Sequence, residues 1–206
     1  MDLALYGFDI ETDTTTNGLD PRVSRVTSIA IWSPTQQHVI ADEREERMLV
    51  ELGRLIGRLP VGIVVGWNSA LFDLPFLATR AEALGVELPI RLVPDPAIIP
   101  KHDFTPPHTC GYRAEIGHHQ HADIAYAYQL EAQRLGVKWA LKPVAKACGI
   151  EVIEVDRERM HDLSADELAA YNLSDARATS LLAERLDCWI AEWLDARHIV
   201  ELEQAR

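Results

Sequence analysis

Basic charge is what this sequence most lacks. Lys and Arg together number 20 against 32 Asp and Glu, giving a formal net charge of -12. A protein that holds long duplex nucleic acid needs a basic face, so the balance argues against that class. It leaves open a grip confined to a strand end and made through bound cations. Cysteine is scarce as well: Cys110, Cys148 and Cys188 are scattered, odd in number and form no C-x-x-C pair. Neither a disulfide framework nor a structural zinc knuckle is expected, and a reducing, cytoplasmic location fits. Long apolar runs are missing. The stretch Val61–Trp67 (VGIVVGW) falls far short of the roughly 20 residues that a bilayer-crossing helix needs, so no membrane association is expected. Met1 and Asp2 lead straight into a strand-like run with no basic segment before it, so no signal peptide is expected. Repeats, low-complexity tracts and linkers are absent too, and residues 1–206 read as one domain able to bury a sizeable core.

What is present is an α/β pattern. Leu3–Ile10 (LALYGFDI) and Arg25–Trp32 (RVTSIAIW) read as strands around a turn-rich stretch centred on Asn17-Gly18, and Gln37–Ala41 as a third strand. Glu43–Leu59 carries apolar residues at helical spacing and stops at Pro60. Val61–Trp67 is apolar throughout, as a central strand should be. Leu74–Leu84 reads as a helix ended by Gly85, Ala122–Gln133 as another, and Leu141–Cys148 as a short one closed by Gly149. Between about 86 and 120 the chain is rich in Pro and His. A structureless loop of that length is unusual, and Cys110–Ile116 (CGYRAEI) suits a strand, so a β-hairpin insertion is expected. Ser164-Ala165-Asp166-Glu167 is a capping box that opens a long final helix. Strands first, then alternating helix and strand, predict a mixed sheet with helices on both faces.

Three short motifs carry chemistry. In Phe8-Asp9-Ile10-Glu11-Thr12 the two carboxylates are two apart at a strand end, so they share one side while Phe8 and Ile10 face the core. Paired carboxylates repel unless a hard divalent cation lies between them, although acids at a strand end also serve simply to meet a turn. Asn68-Ser69-Ala70-Leu71-Phe72-Asp73 follows the apolar strand and opens a helix. Asp73 suits a helix cap, or a carboxylate that reaches a metal through water beside an anion-favouring helix end. Tyr171 and Asp175 stand four apart on the last helix and share a face.

In this order and setting, D-x-E-T, N-x(3)-F-D and Y-x(3)-D resemble the three exonuclease motifs of the DEDDy 3′–5′ exonucleases, in the DnaQ-like, ribonuclease-H-like superfamily. Tyr171–Leu182 (YNLSDARATSLL), His121-Ala122-Asp123 and Leu141–Ile150 (LKPVAKACGI) are similar to segments of the proofreading exonuclease domain of family-B DNA polymerases, and the likeness runs from about Leu3 to Leu186. It implies a ribonuclease-H-like mixed five-stranded sheet flanked by helices. It also implies two divalent cations, Mg²⁺ or Mn²⁺, held by Asp9, Glu11, Asp73 and Asp175. Asp9, Glu11 and Asp175 would take the first cation. Asp9 would bridge to the second, which Asp73 would hold mainly through water. Tyr171 would orient the attacking water, since a phenol with a pKa near 10 is a poor base at neutral pH. Thr12, Asn68 and Phe72 would line the pocket for the terminal nucleotide, and Asp123 would support the site from outside it. The expected substrate is the 3′ end of single-stranded DNA. An exoribonuclease on the same site, or an inactive nucleic-acid-binding module, is the alternative. With no room for palm, fingers or thumb, a stand-alone exonuclease is expected, or one working with a replication or repair partner in trans.

Other features read more plainly. Lys138, Lys142 and Lys146 recur at helical spacing and suit either a solvated face or contact with a substrate backbone. His108, Cys110, His118, His119 and His121 gather soft ligands without the tight pairing of structural zinc. Trp189, Ile190, Trp193 and Leu194 give a C-terminal helix an apolar stripe, by default core packing.

Overall fold

The N-terminal alternation folds as a strand. β1 (Ala4–Thr12) sends Tyr6, Phe8 and Ile10 into one apolar layer and Asp9 and Glu11 to the opposite face. The computed structural model describes residues 3–16, 19–95, 111–186 and 188–194. The expected turn centre Asn17-Gly18, and Cys110 and His108, lie outside them.

β1 pairs antiparallel with β2 (Val26–Ser33), which pairs antiparallel with β3 (Gln36–Ile40). After α1 (Glu45–Arg58), β4 (Gly62–Gly66) returns parallel to β1. Then come α2 (Asp73–Leu84), β5 (Ile90–Asp95), β6 (Gly111–Ile116) and β7 (His119–Asp123), the last parallel to β4. Then follow α3 (Gln129–Arg134), α4 (Leu141–Ala147) and α5 (Ala165–Ala183), with a 3₁₀ segment over Arg157–Asp162 before α5, and residues 188–194 are helical as well. Ser164 caps α5 by the expected box, accepting from Glu167 N–H while the Glu167 carboxylate accepts from Ser164 N–H.

The sheet has seven strands in the order β3-β2-β1-β4-β7-β6-β5. The expected ribonuclease-H-like five are β3, β2, β1, β4 and β7, and the expected hairpin insertion is β5–β6, which pairs antiparallel and extends the sheet beyond β7. One expectation is corrected. Ala122–Gln133 is not a single helix: Ala122 and Asp123 end β7, turns follow, and only Gln129–Arg134 is helical.

Two apolar layers sandwich the sheet. On one side α1 and α2 close over Phe8, Ile10, Ile29, Ile31 and Val64. On the other, α4 and α5 close over Ile63, Val65, Ala122 and Ile124. Ile190 is buried in that second layer, with Trp189, Trp193 and Leu194 packed on it, so the aromatic stripe is core packing. Among the described residues no helix is long and apolar enough to cross a membrane.

Candidate metal centre

α5 lies unusually close to β1, and the reason is Gly7. A Cβ there would collide with the Ala176 carbonyl, so only glycine lets the helix backbone rest on the strand. Ala176 follows Asp175, and the close approach brings that carboxylate to the strand's acids. One carboxylate oxygen each from Asp9, Glu11 and Asp175 lie within 4.8 Å of one another.

Asp73 arrives from the other side by a different route. The β1–β4 ladder ends at Gly7 and Val65, so beyond it the β4-facing edge of β1 has no strand partner in that ladder. The chain turns after Gly66, Asn68 takes up a left-handed φ of 65°, and Asp73 becomes the first residue of α2. Its buried carboxylate accepts the Ile10 N–H at 3.2 Å, directly after Asp9. The cap position itself falls to Phe72, which makes no side-chain capping bond, so Asp73 is not an N-cap.

The turn is held from β7. Asp123, fully buried, accepts N–H groups from Asn68 at 2.9 Å, Ala70 at 2.9 Å and Ala125 at 3.1 Å. The donors from Asn68 and Ala70 tie down the loop that presents Asn68, Phe72 and Asp73, and the one from Ala125 fixes the Asp123 carboxylate within its own turn. Phe72 is half-buried and packs on Phe76, ring centroids 5.4 Å apart, and Thr12 is half-buried at the end of β1.

Lys142 was one member of a lysine stripe in the sequence; in the structure it belongs to the site. Its side chain is only 10% exposed, with Nζ 3.2 Å from Asp175 Oδ1. Nζ also donates to the Ile153 carbonyl at 2.7 Å and stands 3.5 Å from the Tyr171 ring centroid. Tyr171 itself is buried. Lys146, by contrast, pairs with Glu154 at the surface. The histidines go elsewhere: His118 and His119 meet the carbonyls of Leu59, just past α1, and of Ile56 in its last turn, and His121 meets Ser69 Oγ at 2.9 Å.

The electrostatics follow from crowding buried acids. Burial pushes the Asp9 carboxyl well above its ordinary range, and repulsion from Glu11, Asp73 and Asp175 adds to it, while Lys142 opposes. Burial raises Asp73 to about 7, against the bond from Ile10 N–H. Four carboxylates face one ammonium, so the cluster is short of positive charge. An all-oxygen donor set with that deficit suits hard divalent cations.

Asp73 makes this testable. Its pKa lies above the unfolded carboxylate value, so the folded state holds its proton more tightly. The stability cost of ionising it is absent below about pH 4, grows as pH rises, and is complete above about 7. Asp73→Asn keeps an oxygen for Ile10 N–H and removes the charge. At pH 8 without divalent ions it should stabilise the protein by about 2–4 kcal/mol, with the gain vanishing near pH 4. Thermal melts of both proteins across that range measure it, and equal melting points at pH 8 contradict the assignment.

No protein-family model matches the chain. It is 31% identical over 147 residues to DNA polymerase 1 of Aeropyrum pernix, an alignment covering 66% of this chain and 13% of that protein. Over 48 residues it is 35% identical to the DNA polymerase delta catalytic subunit of Candida albicans, covering 23% of this chain and 5% of that one. Among solved structures, the family B DNA polymerase from Pyrobaculum calidifontis shares its fold with a TM-score of 0.69 at 24% identity, over 90% of this chain and 25% of that chain. The chain thus spans a small part of each protein that it matches, and it is similar to DNA polymerases as a polymerase-related domain.

Proposed function

We propose that this chain is a 3′–5′ exonuclease domain of the DEDDy type that hydrolyses phosphodiester bonds from the 3′ end of single-stranded DNA. The observation that carries the reading is the convergence of Asp9, Glu11 and Asp175 within 4.8 Å, beside Asp73, in a fold shared with a DNA polymerase. Two divalent cations, when bound, supply the Lewis acidity that lowers the pKa of an attacking water and stabilises the leaving 3′ oxygen. The protein's own groups do the rest. Asp9, Glu11 and Asp175 would hold one cation, and Asp73 together with Asp9 would hold the second. Tyr171 orients the attacking water. Thr12, Asn68 and Phe72 receive the terminal nucleotide, on a loop that Asp123 keeps rigid. Lys142 holds Asp175 and partly offsets the acids.

The test is digestion of one strand labelled at its 5′ end and, separately, at its 3′ end, with Mg²⁺ or Mn²⁺. Stepwise shortening of the 5′-labelled strand with immediate release of the 3′ label, abolished by chelator, is the expected result. Full activity after exhaustive EDTA treatment, or release of the 5′ label first, overturns the reading. A matched RNA strand degraded faster than the DNA reassigns the substrate.

Two further outcomes are expected. If Tyr171 positions water without taking its proton, Tyr171→Phe slows single-turnover cleavage by on the order of 10- to 1000-fold. A loss as complete as that of a ligand variant argues for an obligatory proton transfer. The acidic composition also predicts a short footprint: with a net charge of -12, binding should weaken only modestly with salt, with a slope matching about two to four phosphate contacts. A steep slope with tight duplex binding contradicts the single-strand assignment.

A further inference from the structure

The sheet face that carries the acids holds two more polar side chains for which the proposed chemistry has no use. Ser28 stands opposite Glu11 in the β1–β2 ladder, and opposed residues present their side chains on one face. Ala30, opposite Asp9, packs against Ala176 of α5. The helix runs antiparallel to β1, because the Ala176 carbonyl lies over Gly7 while the Ser180 hydroxyl reaches the Leu5 carbonyl at 3.5 Å. By the same rise, Asn172, one turn before Ala176, lies about two strand residues further along β1, over the Asp9–Ala30 pair and next to the Glu11–Ser28 pair. Ser28 is 1% exposed and Asn172 0%. Neither Ser28 Oγ nor either amide atom of Asn172 has a hydrogen-bond partner among the described residues. Native interiors match nearly all such atoms, and apolar side chains would fill this position more cheaply.

We propose that Ser28 and Asn172 seat one buried water that hydrogen-bonds the Glu11 carboxylate from inside the sheet–helix interface and fixes its orientation toward a divalent cation. A water suits the chemistry of these groups. It can accept from the Asn172 amide N–H, exchange a hydrogen bond with Ser28 Oγ, and donate to the Glu11 carboxylate. Ligating carboxylates held in this way from behind bind metal more tightly, and loss of the support typically costs 10- to 100-fold in affinity. Ser28 and Asn172 are positioning residues that act through Glu11. The inference rests on the reading of the acids as a cation site.

The experiment is Mn²⁺ binding without substrate, followed by the electron paramagnetic resonance signal of the free ion, together with thermal melts of the metal-free proteins. Ser28→Ala deletes only the hydroxyl, and should weaken the tighter Mn²⁺ site by about 10-fold without lowering the metal-free melting point. Ser28→Thr should restore affinity. Asn172→Ser should weaken it likewise, and combining it with Ser28→Ala should cost little more than either alone, because both act through one water. If Ser28→Ala and Asn172→Ser fold and bind Mn²⁺ as the wild type does, the seat is refuted while the cation site stands. A wild-type protein that binds no Mn²⁺ refutes the cation site and the seat with it.

Discussion

Asp9→Ala should lower turnover by on the order of 10⁴-fold or more while the protein stays folded. Asp9 is the acid whose pKa responds to all the others: Glu11, Asp73 and Asp175 each push it up. Its carboxylate belongs to the group with Glu11 and Asp175, and the Asp73 carboxylate accepts the N–H of the residue that follows it in the chain. On the proposed function Asp9 serves both cations, and its removal would cost both. The metal-free protein should meanwhile become more stable, because one of four mutually repelling carboxylates is gone. Divalent ions should raise the melting point of the wild type far more than that of the variant. Single-turnover digestion, with melts with and without Mg²⁺, reads all three. Turnover near that of the wild type means that the first motif has been misassigned.

Much of this site was legible because its spacing is local. The period of two in Phe8-Asp9-Ile10-Glu11 sets both acids on one face whatever the sheet does, and Tyr171 and Asp175 share a helix face for the same kind of reason. The capping box at Ser164 is local as well. The misreading of Ala122–Gln133 came from short apolar segments. Ala122, Ile124 and Ala125 are equally good on a strand end or a helix, and only pairing with β4 decides. The hairpin insertion was expected from Cys110–Ile116, but its first strand was less legible. Ile90–Asp95 has a β-ladder partner in β6 that lies beyond undescribed residues, and no periodicity announces it.

Asp73 and Lys142 show the limit more sharply. A helix cap was a fair reading of Asp73, but its carboxylate bonds Ile10, a residue 63 positions away. Lys142 looked like its neighbours in the stripe. Helical spacing gives each lysine a direction around the axis but not what covers it. The covering is the packing of α4 on α5, together with the segment that brings the Ile153 carbonyl to the ammonium. That arrangement is tertiary, and so is the meaning of the residue.

Lys142→Met should therefore behave as the removal of a buried counter-ion, not of a surface charge. Its ammonium lies 3.2 Å from Asp175 Oδ1, in a side chain only 10% exposed. Methionine keeps the length and apolar stem of the side chain and deletes the charge. Breaking one side of a buried pair leaves the other charge uncompensated, so the metal-free variant should lose about 3 kcal/mol at pH 8, roughly 6–12 °C at this chain length. Saturating Mg²⁺ should restore most of that, since the cations neutralise the same carboxylates. Mn²⁺ should bind more tightly than to the wild type, because a competing positive charge has left the cluster. Turnover should nevertheless fall, because Lys142 also braces Asp175 and the Tyr171 ring, whose centroid is 3.5 Å from Nζ. Lys142→Arg should not rescue it, as a planar guanidinium cannot occupy the space of a compact ammonium between a carbonyl and an aromatic face. Melting points and Mn²⁺ titrations of the three proteins decide the matter: a Lys142→Met protein with unchanged metal-free stability and unchanged Mn²⁺ affinity would place the ammonium in solvent and return Lys142 to the exposed stripe.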